Sequence, residues 1–309
     1  MDLNELKTFI AVAETASFSR ASEQLFITQP AVSRRIQALE QHFGTRLFDR
    51  AGKRVFLTPH GELLLPRARH LMREMEDTET LMHNVEHRVA GVLNLATSHH
   101  IGLHRLAPVL QQYAKTYPDV ALNIRFVDSE VAHSMVRKAE VDLAVVTLDS
   151  TPDSTSDTQL ERQVLWVDPL CFVVGESHAL HQLTETEEIP LSRLLRFPAV
   201  LPGLSTFTGR IAADAFSAAG LTLNPGMSTN YLETIAMLVS IGLGWSVLPH
   251  SMLDAPQTEA SRRIRALKVA TTPLIRHLGM VANPRRTRSN AALAFSQTLK
   301  DFRDSDLAF

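Results

Sequence analysis

The start of the chain has the hydrophobic spacing of three consecutive helices. Intervals of three and four separate the first apolar residues, which predicts an amphipathic helix over residues 3–15: Leu3, Leu6, Phe9, Ile10 and Ala13. A second, short helix is predicted over Arg20–Leu25, and Ser17 or Ser19 is placed to cap it. A third helix is predicted to begin at Gln29 and to end at Gly44, because glycine favours a helix end.

The third helix has one buried stripe and one polar face. Val32, Ile36 and Leu39 form the stripe, and Thr28 is placed to cap the helix before a proline that the first turn tolerates. The remaining positions near its N-terminus lie toward the outside and the first turns: Gln29, Pro30, Ala31, Ser33, Arg34 and Arg35. A tight turn followed by a helix that begins with Gln, Ser and Arg matches what a DNA major groove requires. Arginine donates twice to guanine, and glutamine pairs with adenine.

A β-hairpin is predicted after this helix. Residues 46–57 contain two short strand-like runs, and Gly52 allows the turn between them. Arg50, Lys53 and Arg54 are placed to reach the flanking backbone or the minor groove of DNA. Thr58 and Pro59 then begin a long helix.

The long helix has the spacing of a coiled coil. Its apolar seam alternates between steps of four and three: Leu64, Ala68, Leu71, Met75, Thr78, Met82, Val85 and Val89. Burial against the same helix of a second subunit is the economical interpretation, which predicts a dimer. An intrachain core helix is the alternative. Pro66 removes one helical hydrogen bond and is placed to kink the helix.

Beyond Gly91 strand-like and helical runs alternate, which predicts a parallel α/β sheet. Strands are expected at 92–97, 121–127, 143–146, 170–174, 199–201, 245–248, 264–269 and 277–282. Helices are expected at 103–117, 131–139, 207–219 and 232–241, with a final one capped by Ser289.

Composition excludes several classes of protein. The chain has 309 residues, of which 45% are hydrophobic and 21% charged, so it can bury a core. A single cysteine excludes an internal disulfide, and the reducing cytoplasm fits best. The N-terminus lacks the basic region of a secretory signal, and the most apolar run, 235–249, is too short to span a bilayer. Nucleophile elbows, P-loops and dinucleotide fingerprints are absent from the sequence, which argues against an enzyme.

Charge is unevenly divided along the chain. The formal net charge is −2, but residues 1–60 hold eight basic against six acidic residues, while the remainder holds 23 against 27. Six basic residues lie between positions 29 and 54, opposed only by Glu40 and Asp49. Such a patch is either a solvated face or part of a nucleic-acid surface.

Two groups of motifs resemble one known family. The run SFSRASEQLFITQPAVSRRIQALEQHFGTRLFDR followed by LTPHG resembles the winged helix-turn-helix of LysR-type transcriptional regulators, with Ser22 and His60 as small departures. The segments YPDVALNIR, VDLAVV and ETIAMLVSIGLGWSVLP resemble the effector domain of that family, which is similar to periplasmic binding proteins.

The resemblance implies a division into three parts. These are a winged helix-turn-helix at 1–58, a linker and dimerisation helix at 59–90, and a two-lobed α/β effector-binding domain at 91–309. The first lobe is expected at about 92–164 and 266–309, and the second at about 165–265.

The resemblance also implies a function and a set of partners. We expect a sequence-specific regulator with no enzymatic activity and no cofactor, located in the cytoplasm at the nucleoid, whose dimeric heads bind a pseudo-palindromic double-stranded DNA operator. A homotetramer built through effector-domain contacts, and RNA polymerase in the case of an activator, are further implied partners; no membrane partner is expected. An architectural DNA-binding protein without a ligand is a rival interpretation, but it leaves the two α/β lobes unexplained.

A small-molecule effector is expected between the lobes, where strands end and helix N-termini offer N–H groups. The family's cleft is built from the corresponding places, which gives these candidates: Thr97, Ser98, His99, His100, Thr147, Ser205, Thr206, Thr229 and Tyr231. For each hydroxyl a simple helix cap is the alternative. Such groups suit a small carboxylate or another polar metabolite, and a doubly charged ligand would need Arg105, Arg125 or Arg210.

Three histidines raise the question of a metal ion. His100 and His104 share a helix face, but no carboxylate or thiol lies near them in sequence, so no metal site is predicted. Whether His99, His100 and His104 contact the effector is left open by the sequence.

Overall fold

The computed structural model describes residues 1–51, 54–85, 88–149, 160–183, 188–254 and 258–306. It divides into two compact units, Met1–Glu86 and His87–Phe309. Within the described residues, no helix is long and apolar enough to cross a membrane.

The first unit consists of helices and one small antiparallel hairpin. Its elements are α1 (Leu3–Thr15), α2 (Phe18–Gln24), α3 (Gln29–Phe43), β1 (Phe48–Ala51), β2 (Arg54–Leu57) and α4 (Pro59–Asn84). Local sequence fixes several ends: Ser17 caps α2 by accepting a hydrogen bond from the backbone of Arg20, and Gly44 ends α3 at a φ of 65°. The second helix therefore begins two residues earlier than predicted. Thr28 precedes α3 as predicted but makes no side-chain capping bond.

The core of the first unit lies between its helices. Phe9, Val32 and Leu39 are fully buried, and Phe48 of the hairpin packs on the ring of Phe9 at 5.3 Å. Each fully buried side chain of this size stabilises the fold by roughly 1.5–3 kcal/mol.

The helix α4 is divided along its length. Ala68 and Met72 are buried in the core of the first unit, so the intrachain alternative holds for its first half. In the second half Met82 and Val85 are exposed. The helix ends at Asn84, and Val89 packs against the core of the second unit, so its assignment to the seam was wrong.

The second unit begins with three strands and the helices between them. These elements are β3 (Gly91–Thr97), α5 (His99–Ile101), a π-helical segment (Gly102–Leu106), α6 (Ala107–Thr116), β4 (Val120–Phe126), α7 (Ser129–Arg137) and β5 (Leu143–Thr147). The helix predicted over 103–117 therefore begins four residues earlier, at His99, and contains a π-helical segment between two α-helical ones. A single π-helical turn is too short to show in the spacing of apolar residues over the whole helix, so the pattern did not reveal it.

The chain continues through a second group of elements. They are β6 (Glu161–Gly175), a 3-10 turn (His181–Leu183), β7 (Ile189–Pro190), α8 (Leu191–Leu194), β8 (Val200–Leu201), α9 (Phe207–Ala218), β9 (Met227–Ser228), α10 (Leu232–Ser240), β10 (Trp245–Pro249), α11 (Ser251–Asp254), α12 (Glu259–Arg262), β11 (Ile264–Leu267), β12 (Val269–Ala270), β13 (Leu274–Ala282) and α13 (Asn290–Asp306). Ser289 caps α13 as predicted.

The main sheet is mixed, which corrects the prediction of a parallel sheet. Its order is β10-β6-β13-β5-β3-β4, with β11 also paired to β6. β3 is parallel to β4 and β5, whereas β13 is antiparallel to both β5 and β6. Alternation of strands and helices carries no information about the direction of strands that are distant in sequence, so the prediction failed at β6 and β13.

β6 and β13 cross from one lobe to the other. Trp166 and Leu278 belong to the core of the first lobe, whereas Leu170 and Leu274 belong to that of the second. Leu267 also packs in the second lobe, so the return to the first lobe occurs within β13 and not at residue 266. The two crossing strands thus form the floor between two separately packed α/β lobes.

Candidate functional site

The first candidate site is the exposed N-terminal part of α3. Gln29, Pro30 and Arg34 are exposed, and Ala31 and Ser33 are partly buried. The turn that precedes α3 is tight, with Phe26 at a φ of 53°. This places amide and guanidinium groups on one free face of a helix whose other face is the core of the unit.

Arg35 does not project freely from this face, contrary to its predicted outward position. Its Nη1 donates to Thr8 Oγ1 at 3.4 Å, which braces α3 against α1. Arg50 and Arg54 lie on β1 and β2, but their side chains, like Gly52 and Lys53 at the predicted turn, lie outside the described residues.

The second candidate site is a cleft between the two lobes of the second unit. Five predicted residues line it: Ser98, His99, His100, Thr147 and Thr206. The residues that the sequence interpretation missed are Asp128, Ser129, Glu130, Pro202, Phe207, Thr208, Asn230, Leu232 and Arg276. The N-termini of α5, α7, α9 and α10 therefore converge on one space, as expected where strands end in an α/β fold.

Some predicted residues serve the fold instead of the cleft. Thr97 is fully buried and its hydroxyl donates to the carbonyl of Val145 at 2.7 Å. Ser205 and Thr229 are not among the lining residues, and Tyr231 lines a neighbouring cavity with His99 and Phe126. Their assignment to the cleft is corrected accordingly.

Thr206 lines the cleft, but its hydroxyl is fully used as a helix cap. It accepts from Gly209 N at 3.0 Å and donates to the carbonyl of Gly203 at 2.7 Å. The capping alternative therefore holds for this hydroxyl.

Arg276 is the most informative residue of the cleft. It is 3% exposed, and its Nε donates to Asp168 Oδ2 at 2.6 Å across the paired strands β13 and β6. Nη1 lies 3.4 Å from Thr208 Oγ1, while Nη2 is buried without a hydrogen-bond partner among the described residues. Burial lowers the pKa of Arg276, and the carboxylate of Asp168 opposes that effect. A buried donor with no partner is costly, so this one is suited to an acceptor brought by a ligand.

The contacts that join the lobes around this cleft include four polar ones among the described residues. Asn230 donates to Asp128 at 2.8 Å, the backbone N–H of Phe207 donates to Glu130, and Arg210 lies 3.4 Å from Asp149. The fourth contact joins Glu233 of α10 to two histidines of the first lobe.

Glu233 Oε1 lies 3.2 Å from His100 Nδ1 and 2.9 Å from His104 Nε2. Burial is the largest influence on both ionisable groups: it lowers the pKa of His100 and opposes ionisation of Glu233. The hydrogen bonds from the two histidines nevertheless hold the pKa of Glu233 well below its usual range. The fold thus supplies the carboxylate that sequence proximity did not.

Comparison with known proteins assigns both units. Residues 3–62 match the family model described as "Bacterial regulatory helix-turn-helix protein, lysR family", and residues 86–304 match "LysR substrate binding domain". The chain is 29% identical to the HTH-type transcriptional regulator CysL of Bacillus subtilis over 302 residues, 98% of each protein. It is 59% identical over 108 residues to an uncharacterized HTH-type transcriptional regulator of Azotobacter vinelandii, covering 35% of this chain and 75% of the relative.

Solved structures agree with the fold. A full-length variant of OxyR from Pseudomonas aeruginosa has a TM-score of 0.70 at 21% identity, covering 97% of this chain and 95% of the other. Full-length CbnR complexed with its target DNA has a TM-score of 0.53 at 17% identity, covering 98% and 100%. With a substrate-binding model spanning most of its length behind a lysR-type helix-turn-helix, the chain belongs to the LysR family and is a DNA-binding transcriptional regulator, not an enzyme.

Proposed function

We propose that the chain binds its operator through the exposed start of α3 and responds to a small anionic effector held by Arg276 between the lobes. Gln29 and Arg34 read base edges, while Ser33 and the hairpin cations Arg50, Lys53 and Arg54 contact the backbone or minor groove. The protein acts at the nucleoid in the cytoplasm, and RNA polymerase is its partner if it activates transcription.

The DNA-binding form is a dimer, with a tetramer built through effector-domain contacts. Exposed apolar residues along α4 and directly after it support the dimer, since a lone helix would leave them in water: Leu71, Leu81, Met82 and Val85. Two copies of α3 then read the two halves of a pseudo-palindromic site.

The unpartnered Nη2 of Arg276 is the observation that carries the effector proposal. A carboxylate oxygen fits this donor. The N-terminus of α9, where the N–H of Phe207 donates to Glu130, lies in the same cleft. The guanidinium of Arg276 is already paired with Asp168, which also lies 4.0 Å from Arg105, and the carboxylates of Asp128 and Glu130 line the cleft as well. These acids disfavour a second negative charge, so the ligand class is a small monocarboxylate that carries a hydroxyl or amino donor.

A thermal-shift screen of the full chain against small hydroxy and amino monocarboxylates tests the proposal. A ligand at 100 times its Kd stabilises the folded state by about 2.7 kcal/mol, which raises Tm measurably. The shift is expected to disappear in Arg276→Lys, which keeps a cation opposite Asp168 but loses the planar pair of N–H groups. Arg125→Gln is the matched control, because Arg125 is exposed on β4 and does not line the cleft.

Thr208→Val provides a milder second variant, since it removes only the hydroxyl that positions Arg276. If Arg276→Lys and Thr208→Val keep the full shift given by wild type, Arg276 does not hold the effector. If dicarboxylates raise Tm as much as monocarboxylates do, the effector is not limited to a single negative charge.

A further inference from the structure

The histidine pair that faces Glu233 lies where the lobes meet, and His100 of this pair lines the same cleft as Arg276. We propose that His100, His104 and Glu233 bind one divalent transition-metal ion, with Zn²⁺ chemistry, and that this ion clamps the first lobe to the second. The inference does not depend on the identity of the effector.

The distances suit a metal ion with little movement. The three ligand atoms lie within 4.8 Å of one another, and the two N···O separations are 2.9 and 3.2 Å. Bonds of about 2.0–2.1 Å to a tetrahedral zinc ion place neighbouring ligand atoms roughly 3.3 Å apart. Small shifts of three side chains are therefore sufficient to admit the ion.

The local backbone presents both imidazoles on one side. His100 is on α5 and His104 lies in the π-helical segment Gly102–Leu106, with ring centroids 4.4 Å apart. A π-helical turn is rare and is frequently found at functional sites, because its wider ring changes the direction of side chains. Two histidines and one carboxylate are a common ligand set for zinc.

The chemistry of the three ligands also suits a cation, because a metal ion is bound by neutral imidazole and by ionised carboxylate. All three donor atoms lie at the contact between the lobes. Binding moves the proton of each imidazole to its other nitrogen, so no proton need be released. The nearby positive charge of Arg276 is paired with Asp168, a carboxylate that also lies 4.0 Å from Arg105.

Three protein ligands leave a fourth position for water or a ligand atom. His100 lines the effector cleft, and Glu233 lines the neighbouring cavity that contains His99, Leu103 and Phe126. A metal ion here would hold α10 of the second lobe to the first lobe without an effector. The other interpretation is a metal-free contact between the lobes, in which both imidazoles donate a hydrogen bond to the carboxylate of Glu233.

Titration of the untagged full chain separates these two interpretations. After removal of bound metal with a chelator and dialysis, Co²⁺ is added as a spectroscopic probe and Zn²⁺ as its competitor. We expect one tight site per chain, visible absorption typical of tetrahedral Co²⁺ that Zn²⁺ abolishes, and a rise in Tm with Zn²⁺. Glu233→Gln and His104→Gln are expected to weaken binding by at least about tenfold, comparable with losses seen at metal sites.

His99→Gln is the matched control, because the ring of His99 faces Phe126 and Tyr231 and not Glu233. Circular dichroism of each variant without metal verifies that it is folded. If wild type binds no Co²⁺, or if binding by folded Glu233→Gln and His104→Gln equals that of wild type and His99→Gln, the metal site is wrong. If Glu233→Gln and His104→Gln lower Tm relative to wild type by the same amount with chelator and with Zn²⁺, the three residues form a metal-free contact between the lobes.

Discussion

Two neighbouring arginines of α3 have different surroundings. Arg34 is exposed near the start of the helix, whereas Nη1 of Arg35, the next residue, donates to Thr8 Oγ1. Arg35 therefore supports the fold, and Arg34 is the one that we propose for the DNA contact.

Arg34→Ala is expected to weaken specific operator binding by about 1–3 kcal/mol and to leave Tm unchanged, because only a base contact is lost. Gel-shift titration on a duplex selected from random sequences measures the effect. Arg67→Ala, an exposed arginine on α4, is the control. Unchanged affinity and unchanged sequence preference in Arg34→Ala would remove this residue from the interface.

His178 makes the stability of the second unit depend on pH, and this residue lies in neither candidate site. It is buried against the ring of Phe197, and its Nδ1 accepts a hydrogen bond from Leu180 N at 3.1 Å. Burial lowers the pKa of His178 below its usual 6.5. The neutral form therefore stabilises the folded state above the unfolded pKa, and this contribution is lost as pH falls from 6.5 through the lower folded value.

We expect the fall in Tm between about pH 7.5 and about pH 5.5 to be smaller in His178→Gln than in wild type, since glutamine accepts the same hydrogen bond without titrating. His277→Gln, at a partly buried histidine of β13, serves as the comparison. Parallel Tm curves for wild type and His178→Gln would show that His178 titrates equally in both states.

The cleft residues show which parts of a site a sequence can predict. Ser98, Thr147 and Thr206 follow strand ends, so a local rule located them. Asp128 and Ser129 also follow a strand, since β4 ends at Phe126. Arg276 reaches the cleft through the pairing of β13 with β6, and Glu233 reaches the histidines through the approach of α10. Both depend on contacts between residues more than a hundred positions apart, which a local pattern does not show.

At the scale of elements, α4 performs two tasks in succession. Its first turns complete the core of the first unit, and its later turns expose apolar side chains at the same spacing. The spacing of apolar residues shows which face of a helix is apolar, but it does not show which element or subunit covers that face. The sequence therefore predicted the apolar stripe of α4 but extended it wrongly to Val89. It left the partner of the stripe open between intrachain and intersubunit burial.

Met82→Glu is expected to separate the subunits, because a charge would be buried in the proposed seam. Light scattering or sedimentation equilibrium measures the mass. Thr80→Glu introduces the same charge about half a turn away on the helix and is expected to keep the assembly. If Met82→Glu has the mass of wild type while both proteins are folded, the exposed half of α4 is not the dimer contact.

At the scale of the whole molecule, effector binding must act through an equilibrium between arrangements. The described lobes are joined by Asp128–Asn230, by Glu130 at the N-terminus of α9, and by Glu233 with its two histidines. The Glu130 carboxylate thus occupies one of the helix N-termini that an effector anion would favour. If the proposed effector anion binds at this N-terminus, it competes with Glu130, and ligand binding is then linked to the contacts that hold the lobes together.

A ligand shifts such an equilibrium only by its preference for one arrangement, so we expect the monocarboxylate that gives the largest Tm shift to change the footprint on a selected operator more than its affinity. Nuclease footprinting and gel-shift titration with and without the ligand measure the two quantities. Arg276→Lys should keep operator binding and lose the ligand-dependent change, because its DNA-binding unit is intact. If the ligand releases wild type from DNA altogether, the effector blocks the heads, and the proposed change in their arrangement is wrong.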